Sequence, residues 1–222
     1  MEFINKLVQE SFDEDKIVGQ HNPLKKYDTE IEPYNKYMTY NKSSKYPDDF
    51  IVFDFETTGL NANTDKIIEI GAIKYRSNEK AGEFITYVNP ERPIPSNIVT
   101  LTGIRDSNVK NAPTITSVLS KFIDFIGEDV LIAHNAKFDM KFLLNNAYNL
   151  GLKKPKNEVI DTLNLSRKYM KNENGVRPEN YKLITLKEFL GIKIGSHNSA
   201  DDCIVCAEVY KKCKRIKENN RN

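Results

Sequence analysis

Ile51-Val52-Phe53-Asp54-Phe55-Glu56-Thr57-Thr58-Gly59-Leu60 is the stretch from which the rest of the chain can be read. Phe50 to Phe55 is apolar except for one acid, which predicts a buried strand, and Thr57-Thr58-Gly59 closes it. Side chains alternate along a strand, so Asp54 and Glu56 point to the same face. Bare charges are rarely left in a core strand. Two carboxylates side by side at a buried strand end repel each other, and a divalent cation is the economical way to hold them. The plainer alternative is a polar strand end with no further role.

Outward from this strand the pattern stays regular. Lys66 to Tyr75 and Glu83 to Val88 read as two more strands, with the short polar link Arg76 to Gly82 pairing them as a hairpin. Pro90, Pro93 and Pro95 mark a loop. Thr114 to Ile126 places Ile115, Val118, Leu119, Phe122, Ile123 and Ile126 on one helical face. Val130 to Ala133 is a short buried strand, and helices are expected over Ala136 to Leu150, Leu163 to Met170, Leu183 to Leu190 and Ala200 to Cys213. A hairpin sheet followed by alternating helices and strands predicts an α/β domain with a mixed sheet. Before Pro47 the periodicity fails. Phe3, Ile4, Leu7, Val8 and Phe12 could form a short amphipathic helix, and a Tyr/Lys-rich stretch from Lys25 to Tyr46 follows. Residues 1–47 are therefore expected to be a linker-like or partly ordered extension, 48–213 the main domain and 214–222 a basic polar tail.

Two further acidic segments follow. His134-Asn135-Ala136-Lys137-Phe138-Asp139 opens a helix, where the backbone dipole favours a carboxylate. Its plain reading is Asn135 as cap with Asp139 helping the terminus. His197-Asn198-Ser199-Ala200-Asp201-Asp202 opens the last helix, and its plain reading is a capping box of Ser199 and Asp202. Together the three segments are more specific than any one alone. Acids from a strand end and from two helix starts can converge at one edge of a sheet. Oxygen-only ligands suit Mg²⁺ or Mn²⁺. Two such ions roughly 3.5–4 Å apart are a standard arrangement for phosphodiester cleavage. His197, with an ordinary pKa of ~6.5, can take a proton from the attacking water near neutral pH.

Composition sets the outer limits. The chain has 222 residues, 39% of them hydrophobic and 29% charged, which suits one domain with a sizeable core. A net charge of +2 neither announces nor excludes a nucleic-acid partner, since carboxylates offset basic residues in the sum. Three Cys argue against a disulfide framework and for a reducing compartment. With no signal-like start and no apolar run long enough to cross a bilayer, a soluble cytoplasmic protein is expected.

Asp54-Phe-Glu56-Thr57-Thr58-Gly59-Leu60, His134-Asn-Ala-Lys-Phe-Asp139 and His197-(four residues)-Asp202 resemble, in order and spacing, the three motifs of the DEDDh exonucleases. These form the DnaQ-like group that includes the proofreading subunit of bacterial DNA polymerase III. The likeness runs from about Asp49 to about Lys212, and Leu101-Thr102-Gly103-Ile104 and Asp161-Thr162-Leu163 also look like family segments. It implies a ribonuclease-H-like mixed five-stranded sheet flanked by helices. It also implies 3′→5′ removal of nucleotides from single-stranded or frayed DNA with two Mg²⁺ or Mn²⁺. By the same resemblance Asp54 would bridge both ions, Glu56 and Asp202 would complete one site, Asp139 would hold the other, and His197 would be the general base. Thr57, Thr58, Gly59 and Leu60 would line the pocket for the terminal nucleotide, with His134 and Asn135 shaping it. A DNA polymerase is the candidate partner. Ser199 and Cys203 depart mildly from the small Ala residues commoner in the family, and Met1 to Tyr46 has no counterpart in its core.

Other features have plainer readings. Asp161 is expected to be structural, since four acids are already assigned. Glu69, inside an apolar strand, is read in the same way. Cys203 and Cys206 read as core, because zinc would need two more ligands. The Tyr/Lys stretch before Pro47 and the cluster Lys211, Lys212, Lys214 and Arg215 read as a linker and a solvated helix end, with strand contact as the alternative for both. Two functional alternatives remain: RNA 3′-end trimming by the same chemistry, and a non-catalytic nucleic-acid-binding or polymerase-docking module centred on the first 46 residues.

Overall fold

The computed structural model describes residues 32–194 and 198–220. The elements run α1 (Tyr34–Tyr37), β1 (Asn41–Lys42), β2 (Phe50–Thr57), β3 (Ile67–Arg76), β4 (Glu79–Tyr87), α2 (Ser96–Thr102), α3 (Asp106–Val109), α4 (Ile115–Ile126), β5 (Leu131–Ala133), α5 (Lys137–Asn149), β6 (Glu158–Asp161), α6 (Thr162–Tyr169), α7 (Leu183–Phe189) and α8 (Ser199–Asn219). The strands form one mixed sheet in the order β1-β6-β5-β2-β3-β4. β2, β3 and β4 pair antiparallel, while β2-β5, β5-β6 and β6-β1 are parallel. The ribonuclease-H-like α/β expectation holds, and the sheet has six strands rather than five.

The alternation of β2 divides the core. Ile51, Phe53 and Phe55 face one layer, where Val118, Leu119, Phe122 and Ile126 of α4 and Met140, Leu143 and Leu144 of α5 cover them. Phe50 and Val52 face the other, under Leu165 of α6, Leu186 of α7 and Cys203, Cys206, Val209 and Tyr210 of α8. Asp54 and Glu56 continue the second set by register, so they lie on the side that α8 covers. The β3–β4 turn is tighter than expected. Arg76 pairs with Glu79, and the intervening Ser77 and Asn78 both have positive φ, 51° and 65°. That is the geometry of a two-residue primed turn, whose twist matches that of the strands it joins.

Two boundaries need correction. Of the extension expected to be linker-like or partly ordered, residues 32–46 are ordered and packed on the domain. Tyr37 is 2% exposed, its hydroxyl donates to Leu152 O at 2.8 Å, and β1 pairs with β6 as the edge strand. A tyrosine ring supplies apolar area while its hydroxyl finds a carbonyl, so a polar-looking stretch can still pack. The proposed helix and basic residues before Glu32 lie outside the described residues. At the other end, α8 continues to Asn219 rather than yielding to a tail at 214. Lys214 is buried and ion-paired with Asp48, while Lys217 lies over the Tyr46 ring. Residues 221–222 fall outside the described part. No helix among the described residues is long and apolar enough to cross a membrane.

Candidate active site

Asp54 and Glu56 sit where the β2–β5 ladder has ended. The parallel pairing stops at Val52↔Ile132, so beyond it β2 has backbone groups with no strand partner on that side. Asp139, in the first turn of α5, occupies the opening. Its Oδ1 accepts the Phe55 N–H at 3.1 Å, and the side chain is almost wholly buried. This bond places a carboxylate against the backbone between the two β2 acids.

The fourth acid, Asp202, arrives from the opposite side, on α8. In the β2–β3 register Asp54 faces Gly71 and Glu56 faces Glu69. A Cβ on Gly71 would lie 2.5 Å from Ser199 Cβ and 2.8 Å from Ser199 C, closer than such atoms approach. Only a glycine lets the first turn of α8 lie this close to the sheet. Glu69 fixes the same turn, because its Oε2 accepts the Ser199 N–H at 3.0 Å. Asn198, rather than Ser199, caps the helix: its Oδ1 accepts from Asp201 N, and its Nδ2 donates to Asp201 Oδ2, both at 2.8 Å. The result brings one ligand oxygen from each of Asp54, Glu56 and Asp202 within 4.8 Å of one another. His197 lies outside the described residues.

The electrostatics of this cluster fit a cation. Burial, followed by repulsion from Asp139, Glu56, Asp202 and Glu69, pushes the Asp54 carboxyl well above its ordinary range. Burial, then Glu69 and Asp202, raises Glu56 to about 7. Burial raises Asp139 to about 8 against the opposing bond from Phe55 N–H. Among the described residues no lysine or arginine forms an ion pair with Asp54, Glu56 or Asp139. Clustered carboxylate oxygens of this kind suit a hard divalent ion such as Mg²⁺ or Mn²⁺.

The neighbouring residues are placed less uniformly. Thr57 and Thr58 are both buried. Thr57 Oγ1 donates to Gly59 O at 2.6 Å, and Thr58 Oγ1 accepts from Lys66 N at 2.9 Å and from an Arg92 guanidinium nitrogen at 3.0 Å. A side chain on Gly59 would run into the Asp65 carboxylate, which is itself salt-bridged to Arg92. Leu60 is 85% exposed, an apolar tip on an otherwise hydrogen-bonded loop. His134 has both ring nitrogens engaged: Nε2 donates to Tyr181 O at 2.9 Å, leaving Nδ1 to accept from the Thr162 hydroxyl at 3.0 Å. Burial lowers its pKa, in keeping with that neutral form. Asn135 does not cap α5; Ala136 holds that position, and Asn135 instead makes a left-handed turn with φ 62°. Asp161 pins this turn by accepting Asn135 N–H at 3.1 Å, and also caps α6 through Leu163 N at 2.9 Å. Cys203 and Cys206 are core residues. Gly71 carries a signal of its own in the sequence, since a glycine within an apolar strand is a sign of close backbone approach.

Residues 51–210 match the RNase_T family model, described as Exonuclease. The chain is 47% identical over 165 residues to the DNA polymerase III PolC-type of Caldanaerobacter subterraneus, covering 74% of this chain and 11% of that protein. It is 43% identical over 155 residues to the PolC-type enzyme of Bacillus subtilis, covering 68% of this chain and 10% of that protein. The chain thus spans about a tenth of the length of these curated relatives. Among solved structures, E. coli exonuclease I in complex with a dT13 oligonucleotide superposes with a TM-score of 0.68 at 18% identity, covering 78% of this chain and 42% of that one. Exonuclease X in complex with 5′ overhanging duplex DNA gives a TM-score of 0.57 at 22% identity, covering 75% of this chain and 91% of that one.

Proposed function

The chain belongs to the RNase_T exonuclease family, and from that premise we propose that it hydrolyses nucleotides one at a time from the 3′ end of single-stranded or frayed DNA. The observation that carries this reading is the convergence of Asp54, Glu56 and Asp202 within 4.8 Å, with the buried Asp139 carboxylate bonded to the β2 backbone between the first two. We assign Asp54, Glu56, Asp202 and Asp139 as the residues that would hold two Mg²⁺ or Mn²⁺, the first three through their clustered oxygens and Asp139 from its place on the β2 backbone. Bound there, the ions would supply Lewis-acid chemistry, making water a stronger nucleophile and stabilising the leaving 3′ oxygen.

The remaining residues hold, orient and move protons. His197 immediately precedes the α8 cap Asn198. We give it the role of general base, taking the proton from the attacking water. The Thr57–Gly59 turn presents backbone to the terminal nucleotide, and the exposed Leu60 offers an apolar surface to its base. Thr58 acts through Lys66 and Arg92, keeping that turn in place. His134 and Asn135 shape the opposite wall: the imidazole ties the end of β5 to Thr162 and Tyr181, and the Asn135 turn sets the entry of α5 and so the height of Asp139. The PolC-type relatives are named as DNA polymerases, which favours DNA as substrate and proofreading beside a polymerase as context.

A 5′-labelled single-stranded DNA oligomer and its RNA twin, incubated with Mn²⁺, Mg²⁺ or EDTA, test this reading. The expected result is a metal-dependent ladder shortening from the 3′ end, faster on DNA, abolished by Asp54→Asn and strongly reduced by His197→Ala. Faster RNA digestion would reassign the substrate. Intact strands under every metal, with undiminished binding, would make the domain a nucleic-acid-binding module instead.

A further inference from the structure

The segment before the exonuclease domain reaches the loop that follows Glu56. Residues 32–46 lie outside the family match, which begins at residue 51, yet they pack on α5 and β6. Tyr34 stands edge-on to Tyr148 of α5, with ring centroids 5.0 Å apart. Its hydroxyl lies 3.0 Å from Asn145 Oδ1 and 3.1 Å from Asn63 Oδ1. Asn145, 5% exposed, turns its Nδ2 to Ala62 O at 2.6 Å. That donation fixes the amide orientation, so Oδ1 must face Tyr34 as an acceptor. The hydroxyl has one proton for these two acceptors and donates to one at a time, to Asn145 on α5 or to Asn63 on the loop, while the Asn145 amide carries the link on to Ala62 O.

The loop so held is a compact unit. Asn61 O accepts from Thr64 N at 3.0 Å and from Asp65 N at 2.7 Å, while Asp65 Oδ2 accepts from Asn61 N at 2.9 Å. These bonds close the loop on itself, and Leu60 precedes it directly in the chain. Arg92 secures the end next to the sheet through Asp65 and Thr64. The far end, Ala62–Asn63, is met by Asn145 and Tyr34.

We propose that Tyr34 and Asn145 form a latch by which the preceding segment positions the Leu60 loop for seating the 3′ end of a single strand. Both are positioning residues, since neither reaches the carboxylates. The proposal rests on the exonuclease reading for the identity of the strand, but not for the latch itself. It makes residues 32–46 a working part of the nucleic-acid site, where the family match alone would make them dispensable.

Tyr34→Phe is the discriminating variant, because it removes one oxygen and keeps the ring against Tyr148. Three readouts on the full chain decide the outcome: anisotropy of a fluorescent single-stranded DNA 20-mer in EDTA, amide exchange of Asn61–Asp65, and Mn²⁺-dependent cleavage. A single neutral hydrogen bond predicts binding weaker by about 3- to 10-fold. Exchange in the loop should be faster, and KM should rise by a similar factor with kcat held within about twofold. Thermal stability should stay near wild type, which separates the latch from general packing. Unchanged affinity, or a fall in kcat at constant KM, overturns the proposal. If wild type binds the 20-mer but never cleaves it, the exonuclease reading fails, and the affinity and exchange arms still decide the latch.

Discussion

A methyl group at Gly71 would overlap Ser199 Cβ and backbone at 2.5–2.8 Å, and neither neighbour is the flexible end of a long side chain. α8 would have to move away from β3, carrying Asp202 with it. Gly71→Ala is therefore expected to cost about 1–3 kcal/mol of stability as overpacking. Any nuclease activity should fall by roughly 100-fold, because displacement of a catalytic group by about 1 Å has that effect. Gly82→Ala is the matched control, since a Cβ there meets only the Phe125 ring at 4.0 Å. Melting curves and cleavage rates of the two variants check this; equal behaviour would mean that α8 has slack. The acids themselves were legible because a period of two puts Asp54 and Glu56 on one face whatever surrounds them. Gly71 and Glu69 were not assigned their roles, because those depend on which helix crosses above them, and no local pattern encodes that. The cap of α8 was misplaced by one residue for a related reason. Asn198 and Ser199 are both good caps, and the choice was made by Glu69, 130 positions away, taking the Ser199 N–H.

Elements with a full period of hydrophobic signal were legible; of the shorter ones, β5 showed through its unbroken apolar run while others escaped. α4, with 12 residues, and β3, with 10, stand close to where the sequence puts them. α3 with four residues, β1 with two and β6 with four are too short to show a repeat. Their existence follows from what they dock against. α8 shows how an element is anchored at both ends: Glu69 and Asn198 at its start, and Lys214 paired with Asp48 in its fifth turn. Glu69→Ala should leave a buried N–H unsatisfied and open a small cavity, a loss of about 2–4 kcal/mol. Glu69→Gln preserves an acceptor and should recover most of that. Chemical unfolding of the two variants measures the difference. If Gln were as damaging as Ala, the charge of Glu69 rather than its hydrogen bond would hold the helix.

For the whole molecule, the cluster makes stability depend jointly on pH and on metal. Glu56 rises from 4.5 to about 7 and Asp139 from 3.8 to about 8 in the folded, metal-free chain, chiefly through burial. A carboxyl with a raised folded-state pKa holds its proton more tightly when folded. Its contribution is therefore fully present below the unfolded pKa and is lost as pH climbs through the folded one. In EDTA the melting temperature should accordingly decline from about pH 4 to about pH 8, and these groups should add no further loss above that. A divalent ion reverses the penalty, because it binds the deprotonated acids and only in the folded chain. Added Mn²⁺ should then raise the melting temperature little at pH 5 and by several degrees at pH 8. Calorimetry suits the measurement, since the chain has no Trp to report unfolding. Asp54→Asn and Asp139→Asn should each flatten the pH slope in EDTA, because a neutral amide in the cluster removes both a buried titration and a source of repulsion. They should also lose the Mn²⁺ response, so a variant more stable than wild type without metal becomes less stable than wild type with it. That crossing of the two curves is the signature of residues kept for ion binding at a cost to the empty fold. If Asn at either position left the metal response intact, that residue would not be a ligand. If wild type showed no Mn²⁺ response at pH 8, the cluster would not be a metal site at all.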